Sequence, residues 1–339
     1  MRIKSLFFLI LGFSSFFVKM EPSPFDIIIL FSFVLDYRKF NLKSILILLL
    51  FYILFNISSF FSFDPEKSFF YNAVTIYIFV LCFYFYQINK TNLRYFVVGS
   101  LISCVFTLLL STFQLVDSFW YYDRLMGGFK DPNVLAPSSI FMSILFHRLF
   151  PNQRILNLIV ILITSLVVFF AQSRIAILVL ILYLLFYIKK YIILVIPFFF
   201  LFYYNILEFI EKTFSFKNYD TVRFQSQSQA MNLSSFFGNG ATSSDFIVGH
   251  APHSLYVRII SDNGILVASC LLILIFYFLF HYSRKIINKK EFLFLVSLFF
   301  IFSFVIDTLH WRHASIYLAA LCSIYINSKI IPKYDIGRA

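Results

Sequence analysis

The sequence predicts an all-α, polytopic integral membrane protein with about 12 transmembrane helices, both termini inside, and a long outer loop containing short helices. Three observations predict it. The 339 residues are 60% hydrophobic and 13% charged, whereas a soluble domain is about 45–50% apolar and about 25% charged. So much apolar surface cannot be hidden from water in a soluble fold, so lipid is the expected solvent. Apolar runs near the length needed to cross a bilayer, roughly 20 residues, recur along the chain. The loops between them alternate in charge as a membrane topology requires.

The chain opens with "MRIKSLFFLILGFSSFFVKM". It has the charged start and apolar run of a signal peptide but lacks a convincing small-x-small cleavage site, and further spans follow, so residues 5–19 are read as a retained first helix. The next run, 24–36, is also short, and the two together suit either two spans or a re-entrant pair. Longer runs follow at 42–61, 68–87, 95–116, 134–149 and 156–171. Runs 174–188 and 191–207 are separated only by "IKKY", and the last three fall at 263–281, 292–306 and 312–327. The expected organisation is one transmembrane domain, 1–339, whose two long outer loops, about 117–133 and 208–262, form the active region.

With both termini inside, the inner segments hold 18 of the 28 basic residues and three acids, and the outer side holds 10 basic and 13 acidic residues. Every inner loop is basic, in line with the positive-inside rule. No inner loop exceeds roughly a dozen residues and no GxxxxGK[ST] motif is present, so ATP-driven chemistry is not expected. Any enzyme activity belongs to the outer face. The net charge of +12 does not indicate nucleic acid, because the basic residues are scattered between apolar runs and form no stripe. Cys82, Cys104, Cys270 and Cys322 all lie in apolar segments without CxxC spacing and are expected to be reduced core residues.

Outer basic residues are the informative ones. Lys19, Lys67, Lys212 and Lys217 sit near loop acids and are expected to be solvated. Arg174, in "AQSRIAIL", lies between two apolar runs with almost no loop. It either snorkels to the headgroups or reaches an anion, since guanidinium makes bidentate, charge-assisted bonds to phosphate. Arg223, in "NYDTVRFQSQSQAMN", either pairs with Asp220 or serves the same anion. Arg124 opens "RLMGGFKDPNVLAP", where Asp131 is the expected N-cap, Pro132 suits the first helical turn and Asn133 follows. That helix start is either a simple turn and cap or an anion site.

The stretch "VGHAPHSLYVRIISDNGIL", 248–266, gathers two histidines, an arginine and an aspartate. Ser254 is expected to cap a short helix to about Asn263, which Gly264 ends or bends. Arg258 and Asp262 are four apart, share a helix face and are expected to pair. His253 stands outside that pair, either as an interfacial hydrogen-bonder or as a base. A neutral imidazole can take a proton from a hydroxyl. His250 and His253 make an HxxH, a weak metal pattern with no third ligand near, so no metal is expected. Asp307, His310, Arg312 and His313 suit either the acceptor side of a site or an ordinary helix end, and are left outside the catalytic set.

Taken in order, these features resemble the O-antigen ligase and polymerase superfamily of bacterial polysaccharide assembly, over about residues 120–275. Arg124, Gly128 and "DPNVLA" are similar to its arginine, glycine and Pro-Asn-x-x-Ala pattern, and "SRIAIL" to its Ser-Arg helix start. Arg223 followed by "FFGNG" resembles its loop arginine and Gly-x-Gly, and "HSLYVRIISDNGIL" its histidine stretch ending in acid-x-Gly-Ile. The pattern departs at Val267, where the family often has a small residue, and at Phe224, which stands for its loop aromatic.

The resemblance implies a cofactor-free, metal-independent, inverting glycosyl transfer at the periplasmic face of the bacterial inner membrane. The donor is a glycan on undecaprenyl pyrophosphate, and the acceptor is a lipid-linked or lipid A-core glycan. His253 is the implied base, Arg174 and Arg223 hold the pyrophosphate, and Arg124, Asn133 and Arg258 are candidate substrate-binding residues. Membrane lipids are expected partners and a chain-length regulator is a candidate partner. Polymerase and ligase share this chemistry, and the modest length and Phe- and Ile-rich composition favour polymerase. A lipid-linked oligosaccharide flippase is the less favoured reading, because transporters place polar sites near the midplane and here the span centres are nearly free of ionisable residues.

Overall fold

The computed structural model describes residues 3–18, 22–35, 42–129, 131–187, 218–249, 252–283, 289–304 and 312–327. The predicted span 191–207, most of the inner basic loops, residues 208–217, His250, Asp307 and His310 lie outside the described residues. The protein is mostly helical, and among the described residues four helices are long and apolar enough to cross a membrane: Pro65–Tyr86, Lys90–Thr112, Arg154–Ala171 and Leu255–Tyr277. A helix occupies each of the other apolar runs that fall within the described residues. The chain divides into two compact units, residues 1–34 with 91–220, and residues 35–90 with 221–339.

The first unit contains α1 (Ile3–Ser14), α2 (Pro24–Leu35), α5 (Lys90–Thr112), a small hairpin, α6 (Pro132–Leu149), α7 (Arg154–Ala171) and α8 (Arg174–Tyr187). α1 and α5 meet backbone to backbone, because Gly12 lies against the Phe96 carbonyl and Gly99 against the Leu9 carbonyl. Small residues at both crossing points let the helices approach without a hydrophobic drive, which lipid does not provide. The Ser15 and Ser100 hydroxyls meet beside them at 3.3 Å. Gly99→Val is therefore expected to push α1 off α5 and lower stability by roughly 1–3 kcal/mol, the usual cost of overpacking. A thermal unfolding curve of the detergent-solubilised variant measures it, and an unchanged midpoint would show that the contact contributes nothing.

α6 is the core helix of this unit, buried along nearly its whole length. Its start is fixed by the expected cap: the Asp131 carboxylate accepts from the Asn133 amide at 2.8 Å and Pro132 occupies the first position. At its other end the Arg94 guanidinium donates to the Leu149 carbonyl at 3.3 Å and lies over the Phe150 ring. A cation there satisfies an orphan carbonyl and suits the negative end of the helix dipole. α7 packs back along α6, and α8 follows after Gln172, which takes the left-handed conformation.

The second unit contains α3 (Leu42–Asn56), a 3₁₀ turn (Ser58–Phe61), α4 (Pro65–Tyr86), α9 (Asn218–Asn232), α10 (Ser243–Val248), α11 (Leu255–Arg258), a π turn (Ile259–Asn263), α12 (Gly264–Ser283), α13 (Lys289–Ser303) and α14 (Arg312–Asn327). α4 packs on α3 and along α14. Asp64 caps α4 by accepting from the Lys67 amide at 3.0 Å, and Pro65 again takes the first position. A small apolar cluster of Phe55, Leu255, Ile259 and Val267 joins α3 to the start of the α11–α12 segment.

Two local expectations change here. Ser254 occupies the N-cap position of α11 but its side chain makes no capping bond. The short helix also does not run evenly to Asn263: it opens into the π turn, and Gly264 (φ +89°, ψ 167°) leads directly into α12. That backbone region is open essentially only to glycine.

Candidate functional site

The first unit brings Arg124 and Asn133 together. Trp120–Tyr121 and Arg124–Leu125 form a two-residue antiparallel hairpin, the one sheet among the described residues. It presents the Arg124 side chain to two partners: Nη2 donates to Asn133 Oδ1 at 3.0 Å, and Nε donates to the Ala171 carbonyl at 3.1 Å. Arg124 thus joins the first turn of α6 to the last turn of α7. The Gln172 side-chain Nε2 donates to the Asp123 carbonyl at 3.2 Å and holds the same corner. Arg174 begins α8 three residues beyond Ala171 and is half-buried. Gly128 permits the hairpin's exit to touch the Phe16 carbonyl, and its own carbonyl accepts from the Val18 amide at 2.8 Å.

The second unit holds Arg223, His253 and Arg258. α9 is polar, but Ser226 and Ala230 are buried and Arg223 and Gln227 are half-buried, whereas Val222, Phe224 and Gln225 are exposed. Positions 223, 226, 227 and 230 share one helix face, so Arg223 lies on the face that α9 turns to the protein. From that face Gln227 Nε2 donates to the Pro252 carbonyl at 3.0 Å. This bond ties the arginine helix to the residue before His253. His253 is exposed, between buried Pro252 and Ser254, and has φ +53°. The left-handed conformation is uncommon for any side chain other than glycine, though histidine is enriched there with Asn and Asp. The predicted alternative partner of Arg223, Asp220, has a side chain outside the described set.

Arg258 is engaged more heavily than its spacing suggests. Its expected partner Asp262 lies 3.8 Å from Nε, but the closer one is Asp245, whose carboxylate takes Nη2 through both oxygens, at 2.6 Å to Oδ1. Asp262 is 1% exposed and works mainly on backbone: it accepts from the Thr242 amide at 3.0 Å and the Ser244 amide at 2.9 Å. It therefore supplies the acceptor for the orphan amides at the start of α10. The glycines complete this arrangement. Gly238 and Gly264 lie backbone against backbone, and Gly240 donates its amide to the Asp262 carbonyl at 2.9 Å while lying against Ser62.

A polar layer unread in the sequence supports the loop. Asn72 Nδ2 donates to the Phe55 carbonyl at 3.0 Å and reaches Ser59 Oγ at 3.0 Å. Asn263 Nδ2 reaches Asn72 Oδ1 at 3.2 Å, and the Ala241 amide donates to Ser68 Oγ at 2.8 Å. The signal was present in Ser68 and Asn72, four apart near the start of an otherwise apolar helix, with Asn263 beside Asp262. Among the described residues no group of three or more His, Cys, Asp or Glu is placed to hold a metal ion. No known protein family, characterised protein or solved structure matches the chain.

Proposed function

We propose that this chain is a membrane glycosyltransferase of bacterial polysaccharide assembly, working at the periplasmic face of the inner membrane, and that it is an O-antigen polymerase. The acceptor sugar hydroxyl attacks the anomeric carbon of a glycan carried on undecaprenyl pyrophosphate. The new C–O bond forms as the bond to the pyrophosphate oxygen breaks, with inversion at that carbon. The hydroxyl proton passes to the His253 imidazole, and the lipid pyrophosphate leaves with the bonding electrons. Negative charge grows on the leaving group, and Arg174 and Arg223 are assigned to it as charge-assisted donors on the likeness of their sequence motifs. Arg124 and Asn133 act as one hydrogen-bonded substrate-positioning pair.

One observation carries this reading: the Gln227–Pro252 bond holds the helix bearing Arg223 to the loop bearing an exposed, backbone-restrained His253. An anion binder and a proton acceptor on linked segments are what a metal-free glycosyl transfer from a pyrophosphate needs. The test is a gel of cell-surface polysaccharide from a strain lacking the gene, with and without a restored copy. Core bearing a single repeat unit, with the ladder returning on restoration, is the expected result. Bare core with long chains stranded on the carrier lipid would make the protein a ligase, and an unaltered ladder would remove it from this chemistry.

A further inference from the structure

We infer that the connection between α3 and α4 and the segment around α10 form a membrane-inserting face, with Phe60, Phe61, Phe63, Phe236, Phe237 and Phe246 seated among lipid acyl chains at the headgroup boundary. Its basis is inverted polarity in three short segments of the second unit. In the α3–α4 connection Ser58 and Ser59 are buried, while Phe60, Phe61 and Phe63 are 76%, 58% and 73% exposed. In the glycine loop Gly238 and Gly240 are buried, while Phe236 and Phe237 are exposed. In α10 Ser243 and Ser244 are buried and Phe246 is 75% exposed. A soluble surface turns serine outward and phenylalanine inward, and an isolated exposed phenylalanine is ordinary. Six of them over a polar underside, in paired rings, are not ordinary, and exposed apolar surface of this kind marks an interaction surface.

The segments act as one face. Phe61 stacks on Phe237 with ring centroids 5.6 Å apart, and Phe63 lies 6.4 Å from Phe246. Beneath the rings much of the backbone's hydrogen bonding is met inside the protein. Ser68 Oγ serves the Ala241 amide, Ser235 Oγ serves the Gly238 amide, and Asp262 serves Thr242 and Ser244. Internal satisfaction is what irregular backbone needs before it can enter a region without water. The face also continues onto the apolar sides of the flanking helices, where Leu50 and Ile53 of α3 and Phe70 of α4 are exposed. This continuity selects bilayer lipid as the occupant. Exposed Asp64, Glu66 and Lys67 at the start of α4 supply a polar rim. Aromatic residues are favoured at the depth where headgroups meet acyl chains. The inference is independent of glycosyl transfer and rests only on the chain being in a membrane.

The test uses the full-length protein in lipid nanodiscs, with tryptophan introduced by Phe246→Trp or Phe63→Trp and the wild-type emission subtracted. Both sites are exposed, so neither substitution disturbs the core. The added emission is expected at short wavelength, to lose most of its intensity when the lipid acyl chains carry bromine, and to resist aqueous iodide. Quenching by iodide with no loss in brominated lipid would place the face in water. Protection from both quenchers, together with a doubled particle mass, would assign it to a second copy of the chain. Either result overturns the inference.

Discussion

Replacing His253 by alanine is expected to lower the rate of glycan transfer by about 10²–10⁴-fold, the range a positioned general base contributes. The assay is the initial rate of polymer formation by the purified protein from a lipid-linked repeat unit. Because His253 is exposed, its removal leaves no buried cavity in the second unit. The backbone adds a complication, since φ is +53° and alanine tolerates that region less well than histidine. His253→Asn separates the two effects. Asparagine accepts the left-handed conformation but has no nitrogen able to take the hydroxyl proton. On the base reading it is as slow as the alanine variant while unfolding at the wild-type temperature. An asparagine variant with near wild-type rate would mean that His253 acts only through its backbone, and the assignment of the base would be lost.

Asp262→Ala is expected to damage the second unit severely, costing about 2–6 kcal/mol, because two buried amides each lose an acceptor at about 1–3 kcal/mol apiece. The carboxylate is 1% exposed, serves the Thr242 and Ser244 amides, and lies 3.8 Å from the Arg258 guanidinium. Without it, two buried donors at the start of α10 lose their acceptor. Asp245→Ala is expected to cost less, about 1 kcal/mol, because that side chain is 33% exposed and water replaces part of the interaction. Denaturation midpoints in detergent rank the two. An Asp245→Ala variant as unstable as Asp262→Ala would show that the Arg258 pair, and not the capping of α10, holds the loop.

Much of the helical framework was legible because its signals are local. Apolar runs of the right length become helices whatever their neighbours, and Asp131 and Pro132 announce the start of α6 within three residues. The pairing of Arg124 with Asn133 needed the hairpin as well as the helix cap, so the sequence marked both as candidates without joining them. The principal partner of Arg258 was missed for a related reason. Spacing exposes a neighbour four residues on in a helix, but Asp245 precedes Arg258 by 13 residues and reaches it through a loop. The helix through 255–263 was read too simply: it opens into a π turn at Ile259–Asn263, next to a Gly238–Gly264 backbone contact that spacing along the helix does not reveal.

Sequence by itself determined that this chain is helical and apolar enough for lipid, and where α6 begins. Those properties follow from composition, from helix length against bilayer thickness and from capping chemistry, all of which act over a few residues. Only the tertiary structure decided which face each loop turns inward. The serines and glycines go under and the phenylalanines go out, because every buried amide must find an acceptor, and here the acceptors are Ser68, Ser235 and Asp262, remote in sequence or set by the loop's own turns.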